Sequence, residues 1–205
     1  NERGVHFNNI TAGFLGGQVR LDATTRNDGA VVITAAGNAP STGLKRALDI
    51  DVVQRLLDRS QGGMRYNGTL TAQGGGLVLL VESDLTGLAI DGVAPIRKTA
   101  AEALPFRFER NSRDGAVTLR VGAGRLFGLA FEHKRERDVA RLVRGVVAIN
   151  EPPNLPDSGL RVQVAAPRFD AEAWAQWLGI DLHAAPAPAW PASNDAGIRV
   201  DYFTL

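Results

Sequence analysis

Three histidines, three tryptophans and a few closely spaced carboxylates are the residues of this chain with the widest chemical repertoire. A histidine serves as a general base, or as a metal ligand when a second one follows at i+4 on a helix. His6, His133 and His183 are scattered, with no second histidine at such a spacing, so neither chemistry has a framework. No serine stands in a Gly-x-Ser-x-Gly elbow, the strained turn that exposes a nucleophile. Residues 122–128 (GAGRLFG) resemble a dinucleotide loop, but the spacing is G-x-G-x-x-x-G and a strand-like run follows where a helix is needed. They read as a turn between strands. Asp49 and Asp51 could share a proton, yet helix-capping accounts for them without any catalysis. Residues 132–138 (EHKRERD) mix both signs of charge, the mark of a solvated hairpin tip rather than a phosphate site. Trp174, Trp177 and Trp190 could stack on a sugar, but the first two fit better as a helix face buried against a sheet. The expectation is a non-enzyme with no catalytic residue, no metal and no cofactor.

The elements that would position such residues are strands. Residues 64–73 set Met64, Tyr66, Gly68, Leu70 and Ala72 on one side and Arg65, Asn67, Thr69, Thr71 and Gln73 on the other. Period-2 alternation of this kind belongs to a strand with one wet and one dry face. It recurs around Val19–Leu21–Ala23, Leu104–Phe106–Phe108, Val117–Leu119–Val121, Leu160–Val162–Val164 and Ile198–Val200–Tyr202. Antiparallel sheets solvated on one face produce it. The run at 77–81 (LVLLV) is apolar throughout and predicts a strand covered on both sides. Asn27-Asp28-Gly29, Gly74-Gly75-Gly76 and Arg113-Asp114-Gly115 supply the positive-φ residues of tight hairpins.

Two stretches switch to helical spacing: 50–58, through Val52, Val53, Leu56 and Leu57, and 171–178, through Trp174, Trp177 and Leu178. Asp49 and Asp170 stand at the N-cap positions, with Asp51 and Glu172 in the first turns. Strands followed by a short helix read as a unit used twice, at 1–62 and 63–182. Residues 151–156 (EPPNLP) are an extended connector. Residues 183–196 are a Pro/Ala-rich loop ahead of a last strand at 197–205. The fold class expected is mainly β: an elongated, bent antiparallel sheet with about two short helices. With 23 basic and 22 acidic residues the net charge is +1, so bulk charge selects neither nucleic acid nor an anionic membrane surface. The absence of cysteine excludes disulfides and thiolate metal sites. The chain begins at Asn1 and is read as a fragment of a larger protein.

The order of the motifs is similar to that of the AsmA-like superfamily of Gram-negative bacteria, and within it the YhdP-type proteins. The likeness runs through Phe14-Leu15-Gly16-Gly17-Gln18-Val19 and Tyr66-Asn67-Gly68-Thr69-Leu70. Its most specific part is the run from Val81 to Asp91 (VESDLTGLAID), then Ala94-Pro95-Ile96-Arg97-Lys98 and Leu104-Pro105-Phe106-Arg107-Phe108. Residues 155–160 (LPDSGL) and 169–174 (FDAEAW) complete it. Gly92-Val93 departs from the leucine–proline more usual there, which puts the local turn in doubt. The resemblance implies a long periplasmic protein with an inner-membrane anchor and an apolar β-groove. It further implies phospholipid movement between inner and outer membranes.

The expected partners are phospholipid acyl chains and neighbouring segments of the same parent chain, with membrane contact made by parts outside this fragment and none with nucleic acid. A one-sided sheet must cover its dry face with something. Helices of about ten residues are only about 15 Å long, too short to cover many strands. The groove floor is expected at Met64, Tyr66, Leu70, Phe106, Phe108, Val117, Leu119, Val121, Phe127, Leu129 and Phe131. The alternative is a closed, non-catalytic β-sandwich that spaces or docks other domains of a cell-envelope protein, with the same residues as its core.

Overall fold

Each alternating strand needs neighbours that present the same face, and the chain meets this need with one open curved sheet. The computed structural model describes residues 4–48, 51–94, 96–136, 139–165, 171–179 and 199–200. The chain begins with β1 (Phe7–Phe14), β2 (Gly17–Thr25) and β3 (Val31–Pro40), followed by α1 (Ser41–Ala47) and α2 (Asp51–Asp58). Then come β4 (Ser60–Gln73), β5 (Gly76–Ser83), the short β6 (Leu88–Ile90), β7 (Phe106–Arg113), β8 (Ala116–Ala123), β9 (Phe127–Glu136) and β10 (Val139–Ile149). The last elements are β11 (Gly159–Val164), α3 (Ala171–Leu178) and β12 (Arg199–Val200). Spatial order follows chain order from β1 to β12, except that β6 pairs with the start of β4 and leaves β5 beside β7. It is a meander, mainly β as expected.

The tight turns explain the meander. Leu15 and Gly16 (φ 51° and 76°), Gly74 and Gly75 (54° and 77°), and Asp114 and Gly115 (50° and 76°) each place two positive-φ residues in succession. That geometry matches the twist of an antiparallel hairpin. The chain therefore reverses with no excess length, and each strand pairs with its predecessor.

β11 departs from the antiparallel expectation. It pairs with β10 in parallel, Arg144 opposite Gly159 through Ile149 opposite Val164, and β12 continues parallel to β11. A parallel step requires the chain to travel back along the sheet before the next strand begins. Residues 150–158 do this without a helix, because Pro152, Pro153 and Pro156 hold them extended at about 3.1 Å per residue. Pro153 lies close over Gly128 of β9 on the way.

Two other expectations are corrected. The run 77–81 is not covered on both sides: all five residues are half-buried. Val78 and Leu80 point to the wet face, opposite Thr71 and Asn111, and Thr69 and Glu109, so only neighbouring side-chain stems shield them. The described residues also hold a third helix, α1, whose seven residues carry no side-chain N-cap and include Gly43. So short a helix is marginal alone and takes its stability from packing. Leu44 sinks into the core, Lys45 pairs with Asp58 of α2, and Gln54 Nε2 donates to the carbonyls of Lys45 (2.6 Å) and Leu48 (2.5 Å) at its C-terminus. The helices expected at 50–58 and 171–178 are α2 and α3; their proposed caps, Asp49 and Asp170, lie outside the described residues. So does the Pro/Ala-rich stretch.

The core sits at one end of the sheet. Leu44 and Leu57 from the helices, and Leu85, Leu88 and Ile90 from the loop around β6, pack onto Val19, Ala39, Met64 and Tyr66. A glycine pair seats α1: a Cβ added at Gly16 would lie 2.8 Å from Gly43 Cα, and one at Gly43 would collide with the Leu15 carbonyl. In a helix interior Gly→Ala ordinarily gains about 1 kcal/mol. Gly43→Ala should instead cost about 1–3 kcal/mol by forcing the β1–β2 turn off α1, read as a lower urea midpoint at unchanged slope. A raised midpoint would show that the turn does not bear on the helix.

Candidate functional site

Strand register decides which side chains share a face, since residues directly opposite each other point the same way and the next pair points away. Starting from Tyr66, the cross-strand partners are Gly37 and then Val19. From Leu70 they run through Leu79, Arg110, Leu119, Phe131, Gly145 and Leu160. A parallel row runs Val81, Phe108, Val121, Leu129, Val147, Val162. Phe106 lies opposite Ala123, which faces Phe127, which faces Ile149. Val117 lies opposite Ser112 and His133. All eleven expected floor residues therefore lie on one face of one sheet. From β4 to β11 that face is seven strands wide, roughly 29 Å at about 4.8 Å per spacing.

The face is covered unevenly. Met64 and Tyr66 are buried beneath α1, α2 and the loop around β6, as part of the packed core. Leu70, Phe106, Phe108, Val117, Leu119, Val121, Phe127, Leu129 and Phe131 are only half-buried, and Phe106 marks the border of the core. β11 ends at the same edge as this plug, which α3 joins: Trp177 is buried beside Gly92 and its indole N–H donates to the Asp91 carbonyl at 3.4 Å. Trp174 packs edge-on to Trp177, ring centroids 6.0 Å apart. Trp177 thus packs on the loop after β6, and Trp190 lies outside the described residues.

Glycines let rings lie flat on the floor. A Cβ at Gly37 would meet the Tyr66 hydroxyl at 2.9 Å and its ring at 3.0 Å, and one at Gly145 would strike Phe131 and, at 2.7 Å, Leu160. An aromatic ring over a cross-strand glycine fills the gap the missing side chain leaves. The result is a smooth apolar surface.

The opposite face is polar and paired around β5 and β7, but on β9 and β10 it buries Ala130, Val146 and Ala148, near where Pro153 lies over Gly128. Arg107 donates to Glu82 (2.6 Å) and Glu109 (3.2 Å), and Arg144 to Glu132 (2.7 Å). A wide depression of ≈ 1510 Å³ opens mostly on that face, among Gln18, Arg20, Asn38, Arg65 and Asn67. Twisted sheets are saddle-shaped, so a hollow on the wet face needs no ligand to explain it. Among the described residues no cluster of three or more His, Asp or Glu could hold a metal. His6 lies near Asn8 in the exposed β1, His133 stands on the apolar face at the hairpin-tip end, and His183 is outside the described residues.

Sequence reasoning missed Arg110. It occupies a floor position between Leu79 and Leu119, and among the described residues it has no hydrogen bond or ion pair. Extending the alternation Phe106, Phe108 by one step would have found it.

A family model described as YhdP protein matches residues 1–205, the whole chain. The chain belongs to the YhdP family. No curated protein and no solved structure matches it.

Residues 84–104, which run through β6, build much of the plug. The Ile90 and Lys98 backbones exchange hydrogen bonds (2.8 and 3.0 Å), and Leu104 N–H donates to the Asp84 carbonyl at 2.7 Å. Lys98 is buried, its ammonium donating to the carbonyls of Leu88 (2.8 Å) and Thr99 (2.9 Å). Burial pulls its pKa below the ordinary lysine value, and the Glu102 and Asp84 charges partly offset this. The Asp84 carboxyl is held below the carboxylate range chiefly by the Thr86 N–H, and Glu102 by the Thr99 N–H and hydroxyl. Tyr66 is the exception in this bonded region: its hydroxyl is buried without a hydrogen-bond partner among the described residues, and burial raises its pKa. Tyr66→Phe should therefore stabilise the fold by about 1 kcal/mol at neutral pH, measured by urea unfolding. The raised tyrosine stays protonated where the unfolded chain starts to ionise, near 10.0, so the wild type loses stability as pH rises through the raised value. The variant should lack that alkaline loss; a destabilised variant would place a partner on the hydroxyl.

Proposed function

We propose that this YhdP-family chain is a segment of a periplasmic lipid conduit that carries phospholipid acyl chains along its apolar β face, between the inner and outer membranes. The observation that carries the reading is the face itself: nine floor residues share one surface across strands β4 to β9 and stay half-buried, while helices occupy only one end. Apolar surface left partly in water calls for a partner. An acyl chain suits it, because each methylene moved from water to the floor is worth about 0.8 kcal/mol. The contact is non-directional, so neighbouring positions have similar energies and chains slide between them. Transport of this kind needs no covalent step and no catalytic residue. Membership of the YhdP family points to the same class of envelope protein. The parent protein is placed in the periplasm, anchored in the inner membrane by parts outside this segment.

A second reading is a non-catalytic structural or protein-interaction module, favoured by the plug that buries Met64 and Tyr66. Single Asp substitutions separate the two. On an open floor, Leu119→Asp, Leu129→Asp and Phe131→Asp should leave the fold intact and reduce retention of acyl-chain lipid at least about tenfold. Native mass spectrometry and lipid extraction of the purified chain read the retention, and circular dichroism reads the fold. Collapse of the fold in all three, with no lipid on the wild type, would falsify the conduit in favour of the module.

A further inference from the structure

We propose that Arg110 is a phosphate-binding position that anchors the head group of an amphiphile whose acyl chains lie on Phe108, Val121 and Leu129. The proposal rests on the conduit reading and specifies which chemistry the floor accepts.

Arg110 is the one permanently charged residue of this face among the described side chains, and its register neighbours are Leu79 and Leu119. On its own strand the same face carries Phe106 and Phe108 toward the plug and Ser112 toward the hairpin tip. An arginine set among leucines loses hydration and, left unpaired, costs stability. Elsewhere some arginines have side-chain partners and others, such as the half-buried Arg161, have none among the described residues. Arg107, three residues earlier and on the wet face, bonds two glutamates, and Arg144 bonds Glu132. Arg110 has none among the described residues and is half-buried.

Its position along the trough supplies the second argument. The plug shuts the end near Tyr66, while the hairpin tips bound the other end. The last floor row before the tips reads Leu77, Ser112, Val117, His133, Leu142, so this end of the face, the mouth, carries the Ser112 hydroxyl, which donates to the Leu77 carbonyl at 3.4 Å, and, two strands over, the His133 imidazole. Two rows inward, past the row of Leu79, Arg110, Leu119 and Phe131, the face is wholly apolar: Val81, Phe108, Val121, Leu129. An amphiphile with one anionic head matches this gradient, its chains toward the plug and its phosphate at the mouth. Guanidinium binds phosphate oxygens through two parallel hydrogen bonds, stronger than neutral ones and specific in geometry. A carboxylate partner on the protein would compete for the same fork, and the register places none opposite Arg110.

The test compares wild type, Arg110→Leu and Arg110→Lys in binding dihexanoyl phosphatidylglycerol, uncharged dihexanoylglycerol and inorganic phosphate. Wild type should prefer the phosphatidylglycerol about ten- to a hundredfold, the effect of a charge-assisted pair. Arg110→Leu should erase the preference and keep the affinity for dihexanoylglycerol; Arg110→Lys should restore part of it. A preference that survives in Arg110→Leu overturns the proposal and leaves the conduit standing. Binding of inorganic phosphate as tightly as the lipid also overturns it, since the site would then serve a free anion. Failure of the wild type to bind either amphiphile removes the conduit reading itself, and this proposal with it. Should Arg110→Leu not fold, wild type at rising salt decides: loss of the preference with the dihexanoylglycerol affinity unchanged supports the assignment, and a salt-independent preference refutes it.

Discussion

A strand in a sheet does not choose its faces independently. Once Tyr66 lies over Gly37, the pleat and the ladder dictate which side chains of every later strand stand on the same side, as far as Val162 on β11. A slip of one residue in any pairing would send Phe108 or Leu129 to the wet face and bring Arg107 or Ala130 to the dry one. Tight turns prevent such slips. Asp114-Gly115 and Gly74-Gly75 fix the registers of β7–β8 and β4–β5, and Gly145 leaves room for Phe131 where any Cβ would collide. The apolar surface is therefore a property of the whole sheet, and it stays apolar only while every register holds.

Where the face is sealed, it is sealed locally. α1, α2, α3 and the loop around β6 gather at one end, and the hydrogen bonds of Lys98 and the Ile90–Lys98 ladder make that end a rigid stop. The parallel turn into β11 belongs to the same design. Because β11 runs with β10, its C-terminal end arrives at the plug and delivers α3 there, where Trp177 meets Asp91. An antiparallel β11 would have carried α3 to the hairpin tips instead. A plug of this kind rests on specific bonds, while a floor needs only greasy residues of about the right size.

Strands and their faces were legible because alternation is a direct consequence of pleating, and residues 64–73 and 117–121 show it without interruption. The helices at α2 and α3 were legible from apolar spacing. α1 was not, because its seven residues carry a glycine and no polar cap, and its support comes from Gly16, Leu15 and Gln54, which are distant in sequence. The direction of β11 was hidden for a similar reason: alternation is blind to strand polarity, and only the reach of the proline-held connector reveals it. Within the floor, sequence grouped Met64 and Tyr66 with Leu129 correctly as one face. It could not separate the buried pair from the half-buried nine, because burial depends on where the helices land.

Arg110 shows what a face-level reading adds to a residue-level one. In sequence it is one of several arginines on an ordinary amphipathic strand. In register it is the charged position of a dry surface, four residues before the turn at Asp114. A trough closed at one end and charged at the other is asymmetric along its strands. An amphiphile entering it has one orientation of lower energy, and chains that slide sideways from strand to strand keep their heads on the same margin. On the proposed conduit reading, movement is guided across the strands rather than along them, and added hairpins lengthen the path.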